Sequence, residues 1–159
     1  MSKITTPPKS NILRLWKCLW KQGSFTQICP SSPSIDGKLA VVTGGNNGIG
    51  LETCVGLAER GAEIVILARD RNKTVKALDD IEHSTGVRPH FIPLDLSDLS
   101  SVNLAVESLV AKLSGRSIDI LVANAGIATS EYSQSAQGYE LSFAVNVLGH
   151  HVLIKGLHC

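Results

Sequence analysis

"TGGNNGIG", Thr43–Gly50, places four glycines in eight residues directly after the apolar run "KLAVV", Lys38–Val42. Such a run is either a plain turn or a floor for phosphate, and its flanks decide between the two. Lys38–Gly44 is short, apolar and β-branched, the composition of a strand buried in a parallel sheet. Downstream, "LETCVGLAERGA" sets Leu51, Cys54, Val55, Leu57 and Ala58 near one helical face, and Gly61 closes that helix. The glycines therefore join a strand to a helix. In that setting they allow a tight turn and close backbone approach to a pyrophosphate, while the helix N-terminus offers free N–H groups and a favourable dipole. The spacing Gly44-x-x-x-Gly48-x-Gly50 is neither GxGxxG nor the P-loop pattern, and no Lys-Ser/Thr pair follows it. An ATPase reading fails on that ground.

The pattern repeats outward from this turn. Ala62–Asp70, "AEIVILARD", reads as a second buried strand ending in Arg69, which lies 19 residues after Gly50. An acid at this place binds the ribose 2′-hydroxyl of NAD, whereas an arginine suits the 2′-phosphate of NADP. Arg69 favours NADP; Asp70 keeps NAD open, as the ribose acid beside a surface arginine. A polar-faced helix follows, then a third strand, "RPHFIPLDL", ending at Asp95. Ser97 is expected to cap the next helix, "DLSSVNLAVESLVAKL", and "IDILVANAG" supplies a fourth strand with small residues at its end. Strand–helix alternation of this kind means a parallel sheet wound right-handedly. Its ligands sit at the strand C-termini, where Thr43, Arg69, Asp95 and Asn124 all fall.

Composition sets the outer limits. The 159 residues have room for one domain with a real core, and 43% hydrophobic and 18% charged residues are ordinary for a globular chain. A net charge of +1 gives no global field that argues for nucleic acid. The four cysteines, Cys18, Cys29, Cys54 and Cys159, form no CxxC pair and no zinc-ligand spacing. They read as scattered reduced thiols of an intracellular protein, with no metal site.

Residues 1–35 form a separate arm and linker, and the folded domain is expected over 36–159. The arm carries Lys3, Lys9, Arg14, Lys17 and Lys21 and no acid. Ile12, Leu13, Trp16, Leu19 and Trp20 share one helical stripe, with Arg14, Lys17 and Lys21 opposite. A short basic amphipathic helix with tryptophan lies in a membrane interface, serves as a targeting segment such as a mitochondrial one, or packs on its own domain. The location expected is intracellular, either cytoplasmic or peripheral on a membrane.

The chain resembles the short-chain dehydrogenase/reductase family, and within it the retinol-dehydrogenase and carbonyl-reductase-like members. Five matches in family order carry the resemblance, from Lys38 to about Leu153: "TGGNNGIG", "LARD", "LDLSDLSSV", "ANAG" and "GYELSFAVNVLGH". By position it implies that Gly44, Asn46, Asn47, Gly48, Ile49 and Gly50 hold the cofactor's phosphates and ribose. Arg69 would meet the 2′-phosphate, Asp95 and Leu96 would border the adenine, and Asn124, Ala125 and Gly126 would lie along the nicotinamide-side ribose. Asn146 matches the catalytic-helix asparagine, whose backbone carbonyl helps hold a water of the proton relay. Where the family usually has NNAG, this chain has Ala123-Asn124-Ala125-Gly126, so the first asparagine is lost.

The resemblance also implies chemistry that these residues do not complete. Family members transfer hydride between a nicotinamide and a carbonyl–alcohol pair, with a Tyr as acid/base, a Lys four residues later and a Ser on the substrate oxygen. A phenol with pKa about 10 is a poor base at pH 7 until a neighbouring cation stabilises its anion. No Tyr-x-x-x-Lys occurs here; His151 and Lys155 share that spacing, but one element too early. The fold expected is the N-terminal part of a Rossmann sheet, strand order 3-2-1-4, with the fourth strand as an open apolar edge prone to self-pairing or to a partner. The functional expectation is an NADP(H)-dependent oxidoreductase on a small lipophilic carbonyl or alcohol, inactive as this truncated chain. The alternative is a non-catalytic nucleotide-binding or interaction module that forms homo- or hetero-oligomers.

Overall fold

The computed structural model describes residues 33–158, so the amphipathic arm and nearly all of its linker lie outside the described residues. Four parallel strands form one sheet in the order β3-β2-β1-β4: β1 (Leu39–Thr43), β2 (Glu63–Ala68), β3 (His90–Pro93) and β4 (Ile120–Val122). Between them run α1 (Gly48–Ala58), α2 (Arg71–Thr85) and α3 (Leu99–Leu113). After β4 come α4 (Leu141–Phe143), a π-helical stretch (Ala144–Gly149) and α5 (His150–Leu157). This is the order and class expected from the sequence: the first part of a Rossmann-type sheet.

The two faces of the sheet explain the unbroken apolar runs. Along β1, Leu39 and Val41 point to one side and Ala40 and Val42 to the other, and all four are fully buried. The first pair packs with Val65, Leu67, Val102, Leu109, Val145 and Leu153, beneath α3 and α5. The second packs with Cys54, Ala58, Ile64, Ile66, Leu78 and Ile81, beneath α1 and α2. β4 is the outer strand next to β1 and is only half-buried.

Local chemistry fixes where the elements start. Asp70 caps α2 by accepting from Lys73 N at 3.0 Å, and Gly86 ends that helix in the left-handed conformation at φ 75°. Asp98 caps α3 by accepting from Ser100 N at 2.9 Å. The sequence had assigned that cap to Ser97. Ser97 instead folds back, donating from N and Oγ to Asp95 Oδ1 at 2.9 and 2.6 Å, so the cap moves one residue along. The helix that carries Asn146 is not uniformly α-helical, because the six residues Ala144–Gly149 are π-helical. At the base of the sheet, Asp119 receives Leu39 N at 2.9 Å and Lys38 Nζ at 2.8 Å, tying β4 to β1 and holding its carboxyl below the usual range.

Strand register carries the site. Thr43 pairs with Leu67, Ala68 with Pro93 and Val42 with Val122, so the four strands end along one edge. Leu109, fully buried between α3 and the sheet, is the test of this packing, with Leu104 on the same helix 63% exposed. Leu109→Ala is expected to destabilise the domain by about 2–5 kcal/mol, and Leu104→Ala by less than about 0.5 kcal/mol, in urea denaturation.

Candidate functional site

Beyond the ends of the strands the chain encloses a cleft of about 400 Å³. Gly44 and Asn46–Asn47 line it from the glycine turn, Arg69 from the end of β2, Asp95 and Leu96 from the end of β3, and Ala125 and Gly126 from the segment after β4. These eight of the sequence-selected residues therefore share one groove. Leu67, Asp70 and Lys73 join them there.

The other selected residues sit around the groove. Gly48, Ile49 and Gly50 form the first turn of α1, with the Ile49 side chain 81% exposed. A Cβ on Gly50 would fall 2.3 Å from the Gly44 carbonyl and 2.5 Å from Asn124 Nδ2, so only glycine lets the helix start against the turn. Gly44 itself takes φ 66°, a conformation that favours glycine. Asn47, at the N-cap of α1, makes no side-chain cap bond, whereas Asp70, Asp98 and Glu140 cap α2, α3 and α4. The amides of the first turn of α1 are thus left to a ligand or water.

Asn46 has a different task. Its Nδ2 donates to Thr74 Oγ1 at 3.1 Å, and that hydroxyl donates to the Asp70 carbonyl at 2.6 Å, fastening the glycine turn to the start of α2. Asp70 spends one carboxylate oxygen on its cap, and Lys73 Nζ stands 3.8 Å from the other. Arg69, by contrast, is exposed, and no hydrogen bond or ion pair engages its side chain among the described residues. Asp95 accepts from Ser97 and gives its own N–H to Ser101 Oγ at 2.9 Å, which shapes the turn that presents Leu96.

Two groups brace residues that line the groove. Asn124 Nδ2 donates to the Thr43 carbonyl at 3.0 Å, so its amide braces the glycine turn from behind. Asn146, in the π-helical stretch, accepts from Ile127 N through Oδ1 and donates to Ile127 O through Nδ2, both at 2.9 Å. This amide-to-backbone clamp fixes the segment that follows Gly126.

The sequence did not reveal the centre of this arrangement. Thr43 is fully buried, and its Oγ1 accepts from Asn124 N and Ala125 N, each at 3.0 Å. His150 Nε2 lies 2.9 Å from the same oxygen. The sequence reading had weighed His151, which proves exposed, while His150 is 6% exposed. Burial lowers the His150 pKa, opposed by hydrogen bonds to the backbone of Asn146 and Val145. On the opposite face Cys54 backs the glycine turn: a Cβ on Gly45 would meet its sulfur at 2.7 Å, and burial pushes its thiol up to about 12.

Comparison with known proteins agrees with the geometry. The family model described as short chain dehydrogenase matches residues 38–158. Retinol dehydrogenase 11 of Mus musculus is 38% identical over 127 residues, covering 79% of this chain and 40% of that protein. The Pseudomonas aeruginosa RhlG/NADP active-site complex superposes with a TM-score of 0.65 at 31% identity, covering 78% of this chain and 46% of that one. A short chain dehydrogenase from Escherichia coli CFT073 complexed with NADPH gives a TM-score of 0.67 at 25% identity, covering 81% and 55%. The chain spans about 40% of the length of the curated relatives it matches.

Thr43→Val is expected to leave the Ala125 N–H without its acceptor, at a cost of about 1–3 kcal/mol, while Asn124 N keeps the Val122 carbonyl at 3.0 Å, with Thr43→Ser close to wild type. Urea midpoints of the two variants provide the check.

Proposed function

The chain belongs to the short-chain dehydrogenase family, and from that premise we propose that its cleft holds NADP(H) for hydride transfer to or from a small lipophilic carbonyl or alcohol. The observation that carries this reading is the meeting of the uncapped start of α1 with the unengaged Arg69 at one edge of the sheet. The first supplies amides and a positive dipole end for the pyrophosphate; the second supplies a planar cation for the 2′-phosphate.

The remaining residues fit the cofactor in the roles assigned by resemblance. Gly44, Gly48 and Gly50 keep the turn bare of side chains, so that phosphate oxygens reach the backbone. Asp95 and Leu96 would border the adenine, and Ala125 and Gly126 the nicotinamide-side ribose. Asn46 and Asn124 would brace the turn while bordering the ligand, Asn46 from within the cleft lining and Asn124 along the nicotinamide-side ribose. NADP is favoured over NAD because Asp70 is committed to capping α2 while Arg69 is not. Bound nicotinamide supplies or accepts the hydride.

Proton transfer at the substrate oxygen is a separate requirement. Asn146 is the one proposed relay residue present, through its backbone carbonyl, and the 159 residues hold no Tyr-x-x-x-Lys. Assayed as these 159 residues, the chain is expected to bind NADPH without turning over a carbonyl. Affinity without turnover is also what the binding-module reading requires. Retinoids are the substrate class to try first in any longer form, given the retinol dehydrogenase relatives. The basic, tryptophan-bearing arm is the segment proposed to touch a membrane surface; no described helix is long and apolar enough to cross one.

Arg69→Ala tests the cofactor assignment by intrinsic-fluorescence titration with NADPH and NADH. Loss of a charge-assisted phosphate contact, roughly 1.5–3 kcal/mol, is expected to weaken NADPH about 10- to 100-fold and leave NADH unchanged. Equal loss for both cofactors would remove Arg69 as the selector. No binding of either by wild type would overturn the dinucleotide reading itself.

A further inference from the structure

His150 has no part in the roles assigned so far, yet it is buried against the residue that holds the floor of the cleft. Proton accounting at Thr43 fixes what its ring must be. Thr43 Oγ1 accepts two backbone N–H groups, one from Ala125 and one from Asn124 that is shared with the Val122 carbonyl at 3.0 Å, so donors approach both of its lone pairs. It has one hydrogen to give. Two acceptors are in range, His150 Nε2 at 2.9 Å and the Val122 carbonyl at 3.4 Å, and the shorter contact takes it. Nε2 must then be bare. Nδ1 then carries the ring proton.

We propose that His150 is a positioning residue that holds the Thr43 hydroxyl in its accepting orientation only while the imidazole is neutral, so that acid loosens the Asn124–Gly126 side of the cleft. The proposal rests on the dinucleotide reading for its effect on binding, and on geometry alone for the state of the ring. Protonation at Nε2 would set a third donor against an oxygen whose lone pairs are already filled. The hydroxyl would have to turn its hydrogen to the distant Val122 carbonyl, or release an amide of the segment that carries Ala125 and Gly126 into the cleft.

The groups that hydrogen-bond the ring, and those that surround the Thr43 hydroxyl, are neutral. Thr43 approaches from β1, the Asn124–Ala125 amides and the Val122 carbonyl belong to the β4 side, and Asn146 and Val145 lie one turn back on the ring's own helix. No charged side chain among the described residues contributes to the shift in its pKa. The imidazole therefore has nothing to compensate its charge, and the folded state binds the proton less readily than the unfolded chain. The unfolded chain takes up the proton first as pH falls below about 6.5. The stabilising effect of neutral His150 is thus complete above that pH and is lost as pH falls through the lower folded value.

The experiment uses the 159-residue chain in two arms. Nitrogen-15 NMR of the imidazoles reads the tautomer directly at pH 7.5; Nδ1–H with bare Nε2 is expected for His150. Titration with NADP⁺ at pH 7.5 and 5.5 then compares wild type with His150→Gln, whose amide oxygen accepts from Thr43 without titrating. The 2′-phosphate titrates near pH 6 in both cases, so the difference between the chains reports His150. Wild type is expected to lose several-fold more affinity on acidification than His150→Gln. An Nε2–H tautomer, or equal acid losses in the two chains, would overturn the proposal. If neither chain binds NADP⁺ at either pH, the dinucleotide reading fails, and the NMR arm together with apo melting at the two pH values still decides the state of His150.

Discussion

The hydroxyl of Thr43 lies at the end of an interior strand, buried on all sides, and the cleft is assembled around it. Two successive amides of the Asn124–Ala125 segment converge on this one oxygen, while the Thr43 carbonyl receives the Asn124 side chain. An irregular segment leaving a half-buried strand carries backbone groups that water reaches poorly, and each must find a partner inside the protein. One β-branched alcohol meets two of those demands at once. It also fits a fully buried strand position, where its methyl group packs as a valine's would. Thr43 is therefore the point at which strand packing and cleft geometry are satisfied by the same atoms.

The glycines solve the complementary problem of approach. Gly50 stands against the Gly44 carbonyl and Gly149 against the Leu96 carbonyl, at distances of 2.3 and 2.5 Å from where a Cβ would be. These contacts bring a helix start and a helix flank onto the two loops that present ligand-facing backbone. The polar residues around them mostly position other groups. Asn46, Asn124 and Asn146 each spend their amides on the protein, at Thr74, Thr43 and Ile127. What is left facing the groove is the bare backbone of the glycine turn, apolar side chains such as Leu96 and Ile127, the carboxylates of Asp70 and Asp95, and the cations of Lys73 and Arg69. Such a surface suits a polyanionic ligand recognised through its phosphates.

Much of this was legible in the sequence, because the signals are steric and periodic. Apolar β-branched runs, a glycine turn between strand and helix, and an arginine at the end of the second strand each have few structural solutions, and the order 3-2-1-4 came from the family resemblance they carry. What the sequence did not disclose depends on single-residue phase. Ser97 and Asp98 are both good caps, and only the competing bond of Ser97 to Asp95 decides between them. His150 and His151 are adjacent, and helical phase determines which one is buried. The π-helical stretch from Ala144 to Gly149 widens the turn, so a 3.6-residue period carried forward from Leu141 loses its place before reaching them. The role of Thr43 was hidden for another reason: its partners are some 80 residues away.

That separation has a kinetic consequence. The pairing of β1 with β4 joins Val41 to Leu121, across the whole of α1, β2, α2, β3 and α3. The cleft cannot exist until this long loop has closed, and loop closure of that span is among the slower events in forming a domain. On a ribosome the glycine turn emerges early, but its floor waits for residues synthesised long afterwards. A ligand of the cleft therefore cannot template the early stages of folding; it meets a site formed only after β4 has joined β1.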